Sequence, residues 1–211
     1  MTVFAATARA RRSIADLLDS LDDAQLAAPS LCAGWSVKVV AAHVAAAVVV
    51  GSAGFLRELL RQRGNGHRTN TVLARRVAEL PTAELAALLR ERADREFSPP
   101  VVGPRGPLSD GLIHEGDMRV PLGLPHTPDP ADVALALEFI TTGRPVGFVP
   151  RGALRGLRLV ATDLDRAWGV GDHLEGRGID LLMAACGRTA LLPALTGPGV
   201  SALAGRLTTR R

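Results

Sequence analysis

Val39-Val-Ala-Ala-His-Val-Ala-Ala-Ala-Val-Val-Val-Gly-Ser-Ala-Gly-Phe-Leu56 is a run of 18 residues whose one ionisable side chain is His43. A stretch this apolar is long enough to raise the question of a membrane span, for which about 20 residues are needed. It is Ala-rich, however, and interrupted by Gly51, Ser52 and Gly54, a composition that favours a helix buried inside a bundle. Ser36 is a suitable N-cap, and Trp35 before it is placed to pack on Val40 as a hydrophobic staple. The pattern predicts one helix from Ser36 to about Arg63.

Outward from this helix, both directions read as further helices. Ile14, Leu17, Leu18 and Leu21 form an apolar stripe that predicts a helix from about Val3 to Leu21. Gly64-Asn-Gly-His-Arg68 reads as a turn, Thr69 or Asn70 as the cap of a helix ending near Leu80, and Pro81-Thr82 as the start of another reaching about Glu96. Four prolines and two glycines between Ser98 and Pro107 mark a loop, and Pro121 stops the helix that follows. Asp129, Pro130 and Gly143 delimit one more helix by N-cap, first position and C-terminal glycine. After a loop-like stretch from Gly143 to Gly156 the pattern changes. Leu157-Arg-Leu-Val-Ala161 alternates as a strand, Trp168 to Asp172 reads as a turn, and His173 to Arg177 as a second short strand. Ile179 to Cys186 and Gly199 to Leu207 return to helical spacing. The expected architecture is mainly α with a small α+β part: a helical bundle over residues 1–145 and a small α+β domain over 150–211.

The chain has 211 residues, 47% of them hydrophobic, enough for a sizeable core. Two cysteines, Cys32 and Cys186, make no disulfide framework or zinc knuckle and point to reduced thiols in a cytoplasm. The net charge of +4 is spread along the chain, Lys38 is the only lysine, and aromatics are 3% with no tyrosine, so a base-stacking nucleic-acid platform is not expected. The N-terminus has no apolar segment of signal-peptide type and turns basic at Arg9, Arg11 and Arg12. Neither nucleic acid nor membrane is an expected partner.

The chemistry concentrates in Leu108-Ser-Asp-Gly-Leu-Ile-His-Glu-Gly-Asp-Met-Arg119. Asp110, His114 and Asp117 are spaced four and three apart, so on a helix they share one face. His43, on the buried stripe of another helix, where an unpaired imidazole is costly, is the natural further donor. Two imidazoles from His43 and His114 and one oxygen from Asp110 leave a coordination position open for water or a thiolate, the pattern of catalytic zinc. Fe²⁺ and Ni²⁺ fit the same ligands. Asp117 reads as an outer partner that holds one imidazole in its metal-binding tautomer. No cysteine is placed to join this set: Cys32 precedes the His43 helix, and Cys186, in Leu-Leu-Met-Ala-Ala-Cys, reads as core. His67, His126 and His173 lie in turns or strand ends and receive no chemistry. Taken as residues alone, Arg75-Arg76 reads as a solvated face and Arg188 as a helix C-cap.

Three separated motifs carry a resemblance. Leu31-Cys-Ala-Gly-Trp-Ser-Val-Lys-Val-Val-Ala-Ala-His43, then Asp110 to Asp117 with Arg119 and Pro121-Leu-Gly123, then Gly156-Leu-Arg-Leu-Val-Ala-Thr-Asp163, Trp168-Gly, Glu175-Gly-Arg-Gly178 and Cys186-Gly-Arg188 resemble the mycothiol-dependent maleylpyruvate isomerase-like proteins of actinobacteria. These are part of the DinB-like superfamily of metal-binding four-helix bundles. The resemblance implies a DinB-like bundle followed by a small C-terminal α+β domain. It implies His43, Asp110 and His114 as metal ligands, zinc as the metal, and mycothiol or a similar low-molecular-weight thiol as cofactor or co-substrate. Arg75 and Arg188 stand where the family places arginines important for activity. The family's isomerase has glutamate where this chain has Asp110, and Asp163-Leu-Asp165-Arg166 and Asp172-His-Leu-Glu-Gly176 also depart from its pattern.

The implied activity is that of a metal-dependent, thiol-using isomerase or S-transferase acting on a small electrophilic, anionic substrate, by a monomer or homodimer. The alternative is a module on the same bundle that binds a small ligand without catalysis, with a vestigial or structural metal site.

Overall fold

A computed structural model describes residues 2–208. Ten α-helices and one three-stranded sheet are present among the described residues. By their contacts they divide into two compact units: residues 1–97 with 114–125, and residues 98–113 with 126–211.

The first unit holds α1 (Val3–Ser20), α2 (Asp23–Ala27), α3 (Val37–Val49), α4 (Gly51–Arg61), α5 (Gly66–Val77) and α6 (Thr82–Glu91). It also holds the second half of α7 (Arg105–Arg119). Within it α3 packs on α5, α1 on α6, and α3 on both α1 and α6. Ile14, Leu17, Leu18, Val40, Ala41, Ala45, Leu85 and Leu89 form a continuous core that also takes in Met118 of α7. Each fully buried Val or Leu in such a core contributes about 1.5–3 kcal/mol over its exposed state. The Ala-rich face of α3 lets neighbouring helices approach closely, so the run over residues 39–56 is a buried bundle helix only through Val49.

That run is not one helix. α3 ends at Val49, and α4 leaves at 115° to it. Two features produce the break. Gly51 has φ +68°, a left-handed conformation that costs other residues about 1–2 kcal/mol. The Val48 carbonyl accepts from Arg92 Nη1 at 3.2 Å and Arg95 Nη1 at 2.9 Å in place of a helical amide. No single helix among the described residues is long and apolar enough to cross a membrane. A buried arginine, Arg11 of α1, donates to the Ala93 and Arg95 carbonyls at 2.7 and 2.8 Å and ties α1 to the end of the α6 segment.

The second unit holds the first half of α7, then α8 (Pro130–Thr142), β1 (Leu157–Ala161), β2 (Arg166–Gly169) and β3 (Asp172–Gly176). It continues through α9 (Gly178–Ala185), a 3-10 turn (Thr189–Ala194) and α10 (Gly199–Thr208). The sheet order is β2-β1-β3, with β1 antiparallel to β2 and parallel to β3. Leu157, Leu159 and Ala161 alternate inward along β1, Trp168 and Leu174 are their buried partners on the flanking strands, and α8 and α9 pack on the sheet and on each other.

Most predicted elements are present, with identifiable differences. Asp129 caps α8 by accepting from Ala131 N, with Pro130 at the first position and Gly143 at the end, as the spacing predicts. α5 begins at Gly66, inside the expected turn, because Asn65 accepts from Arg68 N at 3.0 Å and is itself the N-cap. Trp168 belongs to a strand and not to a turn, since its register opposite Leu159 buries the indole. The contact-based division also differs from the expected division into 1–145 and 150–211. It keeps α8 with the sheet and α9, on which α8 packs.

Candidate metal centre on α3 and α7

The site is built from two helices and one loop. Ser36 caps α3 by accepting from Val39 N, which fixes the helix phase that carries His43. α7 is a continuous helix from Arg105 to Arg119, so Asp110 and His114 stand one turn apart on it. Pro107 falls in its first turn, where the missing N–H has no intrahelical acceptor in any case. Glu115 anchors α7 to α1: its carboxylate accepts from Ser13 Oγ at 2.7 Å and Arg119 Nε at 2.7 Å while nearly buried. The loop before α3 is tied to α7 as well, because Leu31 N donates to the Asp117 carbonyl at 3.0 Å. Ser30 Oγ, donating to the Trp35 carbonyl at 2.9 Å, closes that loop on itself.

Three expected ligands come together. One donor atom each from His43, Asp110 and His114 lies within 4.8 Å of the other two, and all three side chains are half-buried. The rings of His43 and His114 meet edge to face with centroids 4.9 Å apart, and Trp35 covers the other flank of His43 at 5.3 Å. Donors around a tetrahedral zinc with bonds of ~2.05 Å stand about 3.4 Å apart, within reach of small side-chain rotations from this arrangement. Two imidazoles and a carboxylate are also the donor types that such an ion takes, so the residues fit the group.

Asp117 is fully buried and accepts from His114 Nδ1 at 2.8 Å. A carboxylate on Nδ1 leaves Nε2 as the lone-pair nitrogen, the tautomer a metal on that side needs.

Cys32 does not lie where the sequence placed it. Although it precedes the His43 helix in the chain, the loop turns its thiol onto α7, with Sγ 3.1 Å from Asp117 Oδ2 and 3.6 Å from His114 Nδ1. Cys32, His114 and Asp117 form a second group of donors within 4.8 Å of one another. The signal missed was the Gly34 turn, at φ +77°, which folds the loop back before α3 begins. Cys186 is buried, as expected of core. The two arginines lie in different settings. Arg75 is exposed in the last turn of α5, and Arg188 precedes the 3-10 turn with Nη1 donating to the Cys186 carbonyl at 2.8 Å.

A helical bundle with a two-histidine, one-carboxylate cluster across two of its helices is the class of protein in which a candidate metal centre is found. More particularly, residues 7–96 match the family model described as the mycothiol maleylpyruvate isomerase N-terminal domain, so this part of the chain is similar to that domain. Two crystal structures of the mycothiol-dependent maleylpyruvate isomerase, one of them a histidine-to-alanine mutant, are similar over nearly the whole chain. The mutant has a TM-score of 0.55 and the other 0.53, each at 16% identity, covering 94% of this chain and 93% of theirs. At that identity the likeness speaks for a shared fold. No curated protein matches by sequence.

Proposed function

We propose that the chain is a metal-dependent enzyme that uses mycothiol or a similar low-molecular-weight thiol in an isomerase or S-transferase reaction on a small electrophilic, anionic substrate. The observation that carries this reading is the convergence of His43, Asp110 and His114 from two helices within 4.8 Å. His43 and His114 supply neutral nitrogens and Asp110 one oxygen, a set that leaves one tetrahedral position open. His43, Asp110 and His114 would hold a divalent ion, zinc in preference to Ni²⁺ or Fe²⁺, and such an ion would supply the lowering of a thiol's pKa toward neutral pH.

The chain's own groups do the rest. Asp117 holds the His114 Nδ1 proton, fixing the ring and keeping Nε2 directed away from the carboxylate. Trp35 shields one flank of His43 and limits water around the ring. Arg75 and Arg188 are the groups proposed to hold the substrate's anionic charge and the charge that builds up on thiol addition. Asp110 is one methylene shorter than the glutamate of the related isomerase, and its carboxylate still lies within 4.8 Å of the His43 and His114 donor atoms.

The test is metal analysis of protein purified without an affinity tag, followed by calorimetry with thiol. Wild type and Asp110→Glu should carry one ion per chain, and His43→Ala and Asp110→Ala should carry far less. Adding thiol to the loaded protein should release about one proton per site and raise the melting temperature, as for any ligand confined to the native state. Metal-loaded protein that binds no thiol at millimolar concentration would remove the enzyme reading and leave a small-ligand-binding module.

A further inference from the structure

We propose that Cys32, His114 and Asp117 form a second cation position, sulfur-bearing and mutually exclusive with the His43/Asp110/His114 position, for a thiophilic divalent ion. The inference shares His114 with the proposed function but stands on separate donors.

The geometry is that of a donor triangle. Cys32 Sγ to Asp117 Oδ2 is 3.1 Å, Cys32 Sγ to His114 Nδ1 is 3.6 Å, and His114 Nδ1 to Asp117 Oδ2 is 2.8 Å. Zinc–sulfur bonds of ~2.3 Å and zinc–nitrogen or zinc–oxygen bonds of ~2.05 Å place tetrahedral donors about 3.4–3.6 Å apart. The sulfur–nitrogen edge already has that length, and the other two must lengthen by about half an ångström, which small side-chain rotations supply. Asp117 is fully buried and the other two are half-buried, so the pocket limits competing water. One thiolate, one imidazole and one carboxylate suit zinc, cobalt or cadmium, and the thiolate biases the set toward softer ions than the sulfur-free position takes. On binding, the thiol gives its proton to solvent, and the hydrogen bonds on Asp117 Oδ2 are exchanged for bonds to the ion.

Exclusivity follows from the single lone pair of a neutral imidazole. With Asp117 accepting the Nδ1 proton, Nε2 carries the lone pair and can serve the ion beside His43 and Asp110. An ion on the Cys32 side needs the Nδ1 lone pair, so the proton moves to Nε2 and His114 is lost to the first position. One tautomer exchange therefore decides which cluster is complete. A soft cation would inhibit the proposed enzyme by redirecting a ligand, without contacting His43.

Cobalt distinguishes the two positions because only a thiolate ligand gives a near-ultraviolet sulfur-to-cobalt charge-transfer band. Full-length protein produced in cobalt-containing medium, with no added thiol, is the sample. His43→Ala and, in case that variant folds poorly, Asp110→Asn each remove the competing position. Both should show the band at higher intensity per cobalt than wild type, and Cys32→Ser should lack it while retaining the visible bands of the other position. The proposal is overturned if the band is absent from wild type and from both variants, if it survives Cys32→Ser, or if His43→Ala and Asp110→Asn both lose it, which would mean one mixed site. If His43→Ala leaves cobalt stoichiometry and the visible spectrum of wild type unchanged, the proposed function fails while the Cys32 position stands.

Discussion

Asp117→Ala is the most informative single change for the metal reading. The carboxylate is fully buried and accepts from both His114 Nδ1 and Cys32 Sγ, so truncation frees the imidazole to rotate and to exchange tautomers. Loss of such an outer partner typically weakens metal binding 10–100-fold, or about 1.4–2.7 kcal/mol. Leaving the Nδ1–H without its acceptor costs a further ~1–3 kcal/mol of fold stability. For a chain of this length that is a melting-temperature loss of roughly 2–4 °C per kcal/mol. The assay is competition for zinc with a chelator of known affinity, read beside thermal unfolding of the same samples. Glu115→Gln is the control, because Glu115 lies on the same helix and binds Ser13 and Arg119 instead of a candidate ligand. It should lower stability and leave zinc affinity nearly unchanged. If Asp117→Ala behaves as the control does, destabilised but with zinc affinity within about threefold of wild type, Asp117 does not orient a ligand and the tautomer argument fails.

Two predictions concern the scaffold. Partial burial raises the Asp180 carboxyl above its ordinary value, against the opposing pull of Arg177. A carboxyl raised in the folded state favours the fold below the unfolded value, and that contribution is lost as pH rises through the folded one. Asp180→Asn should therefore unfold at higher denaturant than wild type at neutral pH, with the difference vanishing in acid, and a constant difference across pH would refute the assignment. Gly51→Ala should cost about 1–2 kcal/mol in chemical denaturation through its left-handed backbone, since a Cβ there meets only Arg95 Nη2 at an ordinary 3.7 Å. An unchanged midpoint would mean that the α3–α4 bend relaxes without strain.

What the sequence disclosed, and what it withheld, follows from the range of the interactions. The caps of α3 and α8 and the shared face of Asp110 and His114 depend on residues a few positions apart, so spacing alone reveals them. The pairing of His43 with that face was legible for another reason: an imidazole on an apolar stripe needs a partner. The break at Gly51 was half-visible, because glycine permits a left-handed turn but does not demand one. Arg92 and Arg95, more than forty residues on, supply the donors for Val48 and settle it. Cys32 was hidden because its neighbours in sequence carry no chemistry. Its partners, His114 and Asp117, are brought to it by a loop whose closing bonds cannot be read from periodicity. The second strand was hidden for a similar reason, since Arg166-Ala-Trp-Gly169 is too short to show alternation and exists through its register with β1.

α7 is shared by both compact units, which meet in its sequence between Ile113 and His114, and this constrains how the chain can be made as well as what it binds. On a ribosome the first six helices emerge well before the stretch of chain that completes their unit, which ends only at residue 125. Residues 98–113 are synthesised before every other part of the unit to which they belong. Neither unit is a contiguous gene segment, so a chain cut at any single position leaves at least one of them missing a piece. Folding must close two loops through one helix. Nascent-chain lengths short of residue 125 should hold α1 to α6 as a loosely ordered bundle, open to protease, until the second half of α7 arrives to seal it.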